Sequence, residues 1–153
     1  MRRMAIAVAV LVLAACGDDP APAGPQLGDS VRLARGAVDS RLTTQVMTDP
    51  YDAAPVIAPR GTRYVAVSLS WIDEGRRPFP RGWARFTLVD GAGHRTTGAV
   101  LTPLRRTHPD RPRRGQELTQ IVALPLGDGR RPARLELGSI VARWRFAASW
   151  RLS

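Results

Sequence analysis

From Ser30 onward, apolar and polar residues alternate with a period of two, and long stretches of 3.6-residue period are absent. The clearest strand covers residues 63–72. There Val65, Val67, Leu69 and Trp71 share one face, with Ala66, Ser68 and Ser70 on the other. Residues 83–90 repeat the pattern, with Ala84, Phe86 and Leu88 set against Arg85 and Thr87. Asp90-Gly91-Ala92-Gly93 is a hairpin turn signal leading into a strand at 94–102. A strand at 116–124 carries Leu118, Val122 and Leu124 on one face. Asp128-Gly129 then turns the chain into a strand at 133–138. The last expected strand, 142–149, alternates Trp144 and Phe146 with Arg143 and Arg145, and two weaker strands open the domain at 30–35 and 41–48. Eight short strands with Gly/Pro punctuation predict an all-β sandwich or barrel.

The pattern before Ser30 is different. Arg2 and Arg3 precede an uncharged apolar run, residues 4–13, of signal-peptide length and too short to span a bilayer as a helix. The run closes on Leu13-Ala14-Ala15-Cys16, which resembles the lipobox of bacterial lipoproteins, after which the cysteine is lipidated and becomes the mature N-terminus. Cleavage before Cys16 puts bulky Leu13 where ordinary signal cleavage prefers a small residue. Cleavage one or two residues later would instead release a soluble secreted protein. A diacylglycerol thioether brings two acyl chains, and at ~0.8 kcal/mol per buried CH₂ two chains anchor stably where one is marginal. The expectation is an extracytoplasmic domain held on a bacterial membrane through Cys16. Residues 17–29, with three prolines and three glycines, read as a tether with polyproline-II bias. At ~3.1 Å per residue they reach up to ~40 Å. The expected organisation is a signal at 1–15, lipidated Cys16 and tether over 16–29, and one domain at 30–153.

Cys16 is the only cysteine, so the domain has no internal disulfide and relies on its core. All 23 basic residues are arginine, and the abundant Ala, Gly and Pro match the codon bias of a GC-rich genome. Removing Arg2 and Arg3 leaves 21 arginines against 13 acidic residues, a net +8. Such a charge attracts anionic lipid, wall polymer or nucleic acid. An exported chain without a nucleic-acid-binding motif points to the envelope, not to nucleic acid.

The order of Gly61-Thr62-Arg63-Tyr64-Val65-Ala66-Val67-Ser68-Leu69, then Phe86-Thr87-Leu88-Val89-Asp90-Gly91-Ala92-Gly93, then Gly115 before a strand at 118–124, resembles a known domain. It is similar to the telokin-like, immunoglobulin-fold domain of unknown function of bacterial exported lipoproteins, and to a small family of secreted immunogenic antigens with that fold. The resemblance covers residues 30–149 and rests on strand patterns. It implies an immunoglobulin-like antiparallel β-sandwich of seven or eight strands, with no established activity and no catalytic residues to carry over. The chain departs from the pattern in its arginine-rich loops. It also has Trp71-Ile72-Asp73-Glu74-Gly75 where an asparagine–glycine type of turn is common.

Catalysis has little material. His94 and His108 fall at strand edges or in loops, and no nucleophile elbow, zinc-protease, C-x-x-C, phosphate-loop or dinucleotide motif occurs. No enzyme, cofactor or metal is expected. Asp49-Pro50-Tyr51-Asp52 and Asp73-Glu74 supply pairs of carboxylates, which read as solvated turns since calcium needs several converging oxygens. Ser68 and Ser70 read as surface residues. Trp71 and Trp144 read as core, whereas Trp83 and Trp150 are the tryptophans expected to be partly exposed.

The arginine loops carry the sharper expectation. Residues 74–82 contain Arg76, Arg77 and Arg81, and residues 103–115 contain Arg105, Arg106, Arg111, Arg113 and Arg114. If successive strands alternate direction, both loops emerge at one end of the domain. The same parity puts the tethered start at the other end, with the basic rim pointing away from the bilayer. Guanidinium forks bind phosphate and carboxylate bidentately, so the matched ligand is an anionic envelope polymer or an acidic protein partner. The alternative is an accessory lipoprotein that assembles with another envelope complex through a sheet edge or apolar patch.

Overall fold

The computed structural model describes residues 24–101, 114–139 and 147–153, and it is an all-β sandwich of two antiparallel sheets. The described strands are β1 (Ser30–Arg35), β2 (Val38–Thr48), β3 (Thr62–Asp73), β4 (Ala84–Asp90), β5 (Arg95–Thr96), β6 (Val100–Leu101), β7 (Glu117–Gly127), β8 (Pro132–Ser139) and β9 (Ala147–Arg151). One sheet has the order β1-β2-β3-β7-β6 and the other β5-β4-β8-β9. A single 3-10 turn, Arg81–Trp83, precedes β4.

The two-residue period sets the core. Val65, Val67, Leu69 and Trp71 of β3 point between the sheets and are buried, meeting Phe86 and Leu88 of β4, Leu118, Val122 and Leu124 of β7, and Leu135 and Leu137 of β8. Each such side chain contributes about 1.5–3 kcal/mol on leaving water. The polar face of β3 is covered too. Tyr64 and Ala66 form a second buried cluster with Ala123, closed by Tyr51, Ala54 and Ala58 of the 49–61 segment. Ser70, expected at the surface, is buried and donates to the Glu117 carboxylate. Ser68 donates to Gln45 Oε1 at 3.2 Å.

Two departures from the expected strands have physical causes. The single strand anticipated at 94–102 is two short ones, because the chain leaves β4's sheet at Thr96 and joins β7's sheet at Val100, passing through Gly98 at φ +88°. The expected strand 142–149 lies partly outside the described residues, and its described portion, β9, runs on to Arg151. That extension brings Trp150 inside: it is 0 % exposed, against the expectation of partial exposure, and its indole N–H donates to the Asp29 carbonyl at 3.1 Å.

The last part of the expected tether belongs to the sandwich. Pro25 to Leu27 form a strap along β9: the Arg151 N–H donates to the Pro25 carbonyl at 2.8 Å, and the Leu27 N–H to the Arg151 carbonyl at 2.8 Å. This pattern is a parallel pairing of Gln26 with Arg151. A turn closed by the Asp29 N–H on the Gln26 carbonyl, with Gly28 at φ +98°, then reverses the chain into β1. Proline suits the strap because only its carbonyl is used there.

Candidate functional site

The ends of the sandwich follow from the registers. β3 finishes at Asp73, opposite Ser40 near the start of β2, and Ile72 stands opposite Glu117 at the start of β7. The Gly36-Ala37 hairpin turn, the 74–83 segment and the approach to β7 therefore share one end. Here the two arginine loops meet: the Gly115 N–H donates to the Asp73 carbonyl at 2.7 Å, and Arg114 Nε to the Glu74 carbonyl at 2.8 Å.

Asp73 organises this basic end. Its carboxylate is buried, not solvated in a turn, and accepts from Ser40 Oγ at 2.6 Å, the Phe79 N–H at 3.1 Å and Arg81 at 2.7 Å. Phe79 folds back onto Trp71 with ring centroids 4.9 Å apart, and the Arg81 guanidinium lies over the Trp71 ring at 5.6 Å. The segment is sewn to the first hairpin as well. The Glu74 and Gly75 N–H groups both donate to the Asp39 carbonyl, at 2.7 and 2.8 Å, and the Arg77 N–H donates to the Ala37 carbonyl at 3.0 Å. Gly75 permits this approach: a Cβ there would stand 2.5 Å from both the Ala37 oxygen and the Asp39 nitrogen.

Arg81 departs from the expected rim. Its side chain is 17 % exposed and spent on Asp73, so it is a structural cation. Arg76 and Arg77 are exposed at this end, as is Arg114. Arg105, Arg106, Arg111 and Arg113, like His108, Trp144, Cys16 and residues 17–23, lie outside the described residues. Arg35 was not among the expected rim residues, yet it is exposed beside the Gly36-Ala37 turn. The signal that could have found it is its place just before a turn at this end.

The carboxylates here are individually matched. Asp39 pairs with Arg32, Asp73 with Arg81 and Glu74 with Arg41. The hydrogen bonds from Arg32 hold the Asp39 carboxyl below its ordinary value. Arg35, Arg76, Arg77 and Arg114 have no carboxylate partner among the described residues, while Glu117 takes the Ser70 hydroxyl. At the opposite end, Arg60, Arg63, Arg130 and Arg131 are matched in number by Asp49, Asp52, Asp90 and Asp128, while Arg95 and Arg134 share Glu136. There Asp49 is gripped by Arg63 at 2.6 and 2.8 Å, and Asp90 accepts from the Ala92 and His94 N–H groups and from Arg130, each at 2.9 Å. The two acidic pairs considered as metal ligands thus sit at opposite ends. Among the described residues, no three His, Cys, Asp or Glu side chains converge.

A second feature is a groove of about 460 Å³ on the side where the sheets' edges face each other, lined by Gly24, Pro25, Val31, Ala147, Ala148 and Ser149, with Arg134 and Arg151 at its flanks. Because the N–H and C=O of Arg151 point to the strap, the period of two turns those of Ser149 and Ala147 the same way.

No known family model matches the chain, and no curated protein matches it. A solved structure does: an uncharacterized β-sandwich protein from Clostridium difficile 630, with a TM-score of 0.51 and 5 % identity, covering 86 % of this chain and 95 % of that one. At that identity the likeness is one of fold, and it places this chain among β-sandwich domains of unknown function.

Proposed function

We propose that this chain is a non-catalytic binding module of the bacterial envelope, anchored by lipid on Cys16, whose basic end engages an anionic component of that envelope. One observation carries the reading: every carboxylate of the 73–74 segment and of the first hairpin already has its own arginine, so among the described residues Arg35, Arg76, Arg77 and Arg114 stand as a surplus at one end. Guanidinium groups without a carboxylate partner are matched to phosphate and carboxylate. The sequence supplies the anchor, through the lipobox-like Leu13-Ala14-Ala15-Cys16.

The test is the salt dependence of binding to purified envelope fractions. Arginine–anion contacts weaken as the screening length falls from ~10 Å at 0.1 M salt to ~3 Å at 1 M. Replacing Arg35, Arg76, Arg77 and Arg114 with Ser removes that dependence along with most of the binding. Salt-insensitive binding that survives the replacement refutes the reading.

A second reading rests on the groove. Among the described residues, the edge of β9 leaves backbone groups at Ala147 and Ser149 unpaired, a template for strand addition by another envelope protein. Such binding is insensitive to salt and to the four substitutions, and is blocked by Ser149→Pro.

A further inference from the structure

The strap changes which way the domain faces. A simple alternation of strands brings the chain into β1 from the end opposite the arginines. The parallel pairing of Gln26 with Arg151 adds one more reversal. Between Pro25 and Leu27 the chain runs with β9, away from the basic end, and only after the turn at 26–29 does β1 run back toward it. Traced backwards from Pro25, the polypeptide lies at Gly24 beside Ala147, Ala148 and Ser149. Ala147 stands opposite Gly138, next to Ser139, whose own partner is Ala84 at the start of β4. At Gly24, the first described residue, the strap therefore runs away from the basic end.

The distance is short. Eight peptide steps separate Cys16 from Gly24 and span at most ~28 Å. The twelve residues of β3 alone extend ~40 Å. A lipid on Cys16 thus holds Gly24 within about one small-domain length of the bilayer, and from Gly24 to Leu27 the chain runs away from the arginine side. Charge agrees with direction. The end from which the strap runs carries the surplus of Arg35, Arg76, Arg77 and Arg114, whereas the far end is nearly balanced and carries instead the exposed Val56 and the 94 % exposed Ile57.

The geometry points to the basic end as the face laid on the membrane that carries the anchor, its four arginines meeting the headgroups of anionic phospholipid. This deepens the proposed envelope reading and rests on it for the anchor. Acyl chains and a basic patch are the two kinds of signal that together hold a protein stably on a bilayer. Each arginine near an anionic surface raises occupancy up to about fivefold, or ~1 kcal/mol. The role differs from reaching outward to a distant polymer: the patch sets the orientation of an anchored domain, leaving the Val56–Ile57 loop and the 49–61 segment facing away from the lipid.

The lone cysteine makes the orientation measurable. Once Cys16 carries lipid, a cysteine introduced elsewhere is the single reactive thiol of the full chain. Ala37→Cys marks the exposed turn at the basic end, and Ile57→Cys marks the other. Each is labelled with a fluorophore and reconstituted into phosphatidylcholine vesicles bearing a headgroup quencher, with and without phosphatidylglycerol. The expected result is quenching severalfold stronger at position 37 than at 57, increased by phosphatidylglycerol. Added salt, or Arg76→Ser with Arg77→Ser, reverses that increase. Equal quenching, stronger quenching at 57, or no response to phosphatidylglycerol overturns the inference. Mass measurement of Cys16 in the same preparations separates the two failures. An unlipidated Cys16 overturns the anchor and the inference together. A lipidated Cys16 with the wrong quenching order overturns the inference alone.

Discussion

Asp73 and Arg81 stand 2.7 Å apart where β3 ends, with the guanidinium roofing the Trp71 ring. The pair converts a ten-residue connection into an ordered structure. The same carboxylate caps the Phe79 N–H and takes the Ser40 hydroxyl, so β2 and the 74–83 connection both converge on the end of β3. Removing one partner of such a buried pair strands the other charge, at a cost of about 3–5 kcal/mol. Asp73→Ala is expected to lower stability by that amount in denaturant unfolding. Asp73→Asn keeps an acceptor oxygen for Ser40 and Phe79 and loses less. A cost under 1 kcal/mol for Asp73→Ala would contradict this account.

Gly75 is constrained by backbone, not by turn conformation. A methyl group there meets the Ala37 oxygen and the Asp39 nitrogen at 2.5 Å, and neither can swing aside as a side chain could. Gly75→Ala is expected to cost about 1–3 kcal/mol, as overpacking does. Gly82→Ala is the matched control, since no atom lies within 4 Å of its Cβ position. Thermal unfolding of the two variants, a few residues apart, measures the difference; equal midpoints would show that the first hairpin yields.

Asp90 supplies the pH dependence. Burial alone would raise its pKa, but the His94 and Ala92 N–H groups and the Arg130 guanidinium outweigh burial and hold it below its ordinary 3.8. A carboxylate with a depressed folded-state pKa stabilises fully above its unfolded value and loses that contribution as pH falls through the folded one. The window therefore lies below about pH 4. Asp90→Asn is expected to be less stable at neutral pH and to lose stability less steeply below about pH 4. Denaturant midpoints measured down to about pH 2 test it, and parallel curves for variant and parent would rule it out.

Trp150 ties β9 to the turn that leads into β1. Its ring is fully buried and its N–H reaches the Asp29 carbonyl beside the strap. Trp150→Phe keeps an aromatic core filler while removing that donor, and is expected to cost about 1–2 kcal/mol. Trp150→Ala adds a cavity and costs about 3–5 kcal/mol. Hydrogen exchange at Leu27 and Arg151 should accelerate in both variants. Unchanged exchange would mean that the strap holds without the indole.

The alternation of Val65, Val67, Leu69 and Trp71 made the inner face of β3 legible, and with it the sandwich. Tyr64 and Ala66 could not be read as buried, because what covers them is the irregular 49–61 segment, whose folding back over β3 no periodicity reveals. The strap was hidden by its composition. Pro25 and Gly28 resemble linker residues, yet the first needs only its carbonyl and the second supplies a turn at positive φ. At the candidate site the arginines were visible, but their partners were not. Which of them faces Asp39, Asp73 or Glu74 depends on cross-strand register and on how the 74–83 segment folds back. Hence the sequence alone counts Arg81 as free although it is half-buried beside Asp73, and passes over Arg35 although it is exposed at the same end.

The separation of surplus charge from balanced charge along the strand axis makes the sandwich an electric dipole. A negatively charged plane exerts a torque on such a body before any atom touches it, turning Arg76 and Arg77 toward the plane during approach. Alignment of this kind needs no pocket and no shape complementarity. It can operate from the opposed ends of the fold, through the field of the whole domain.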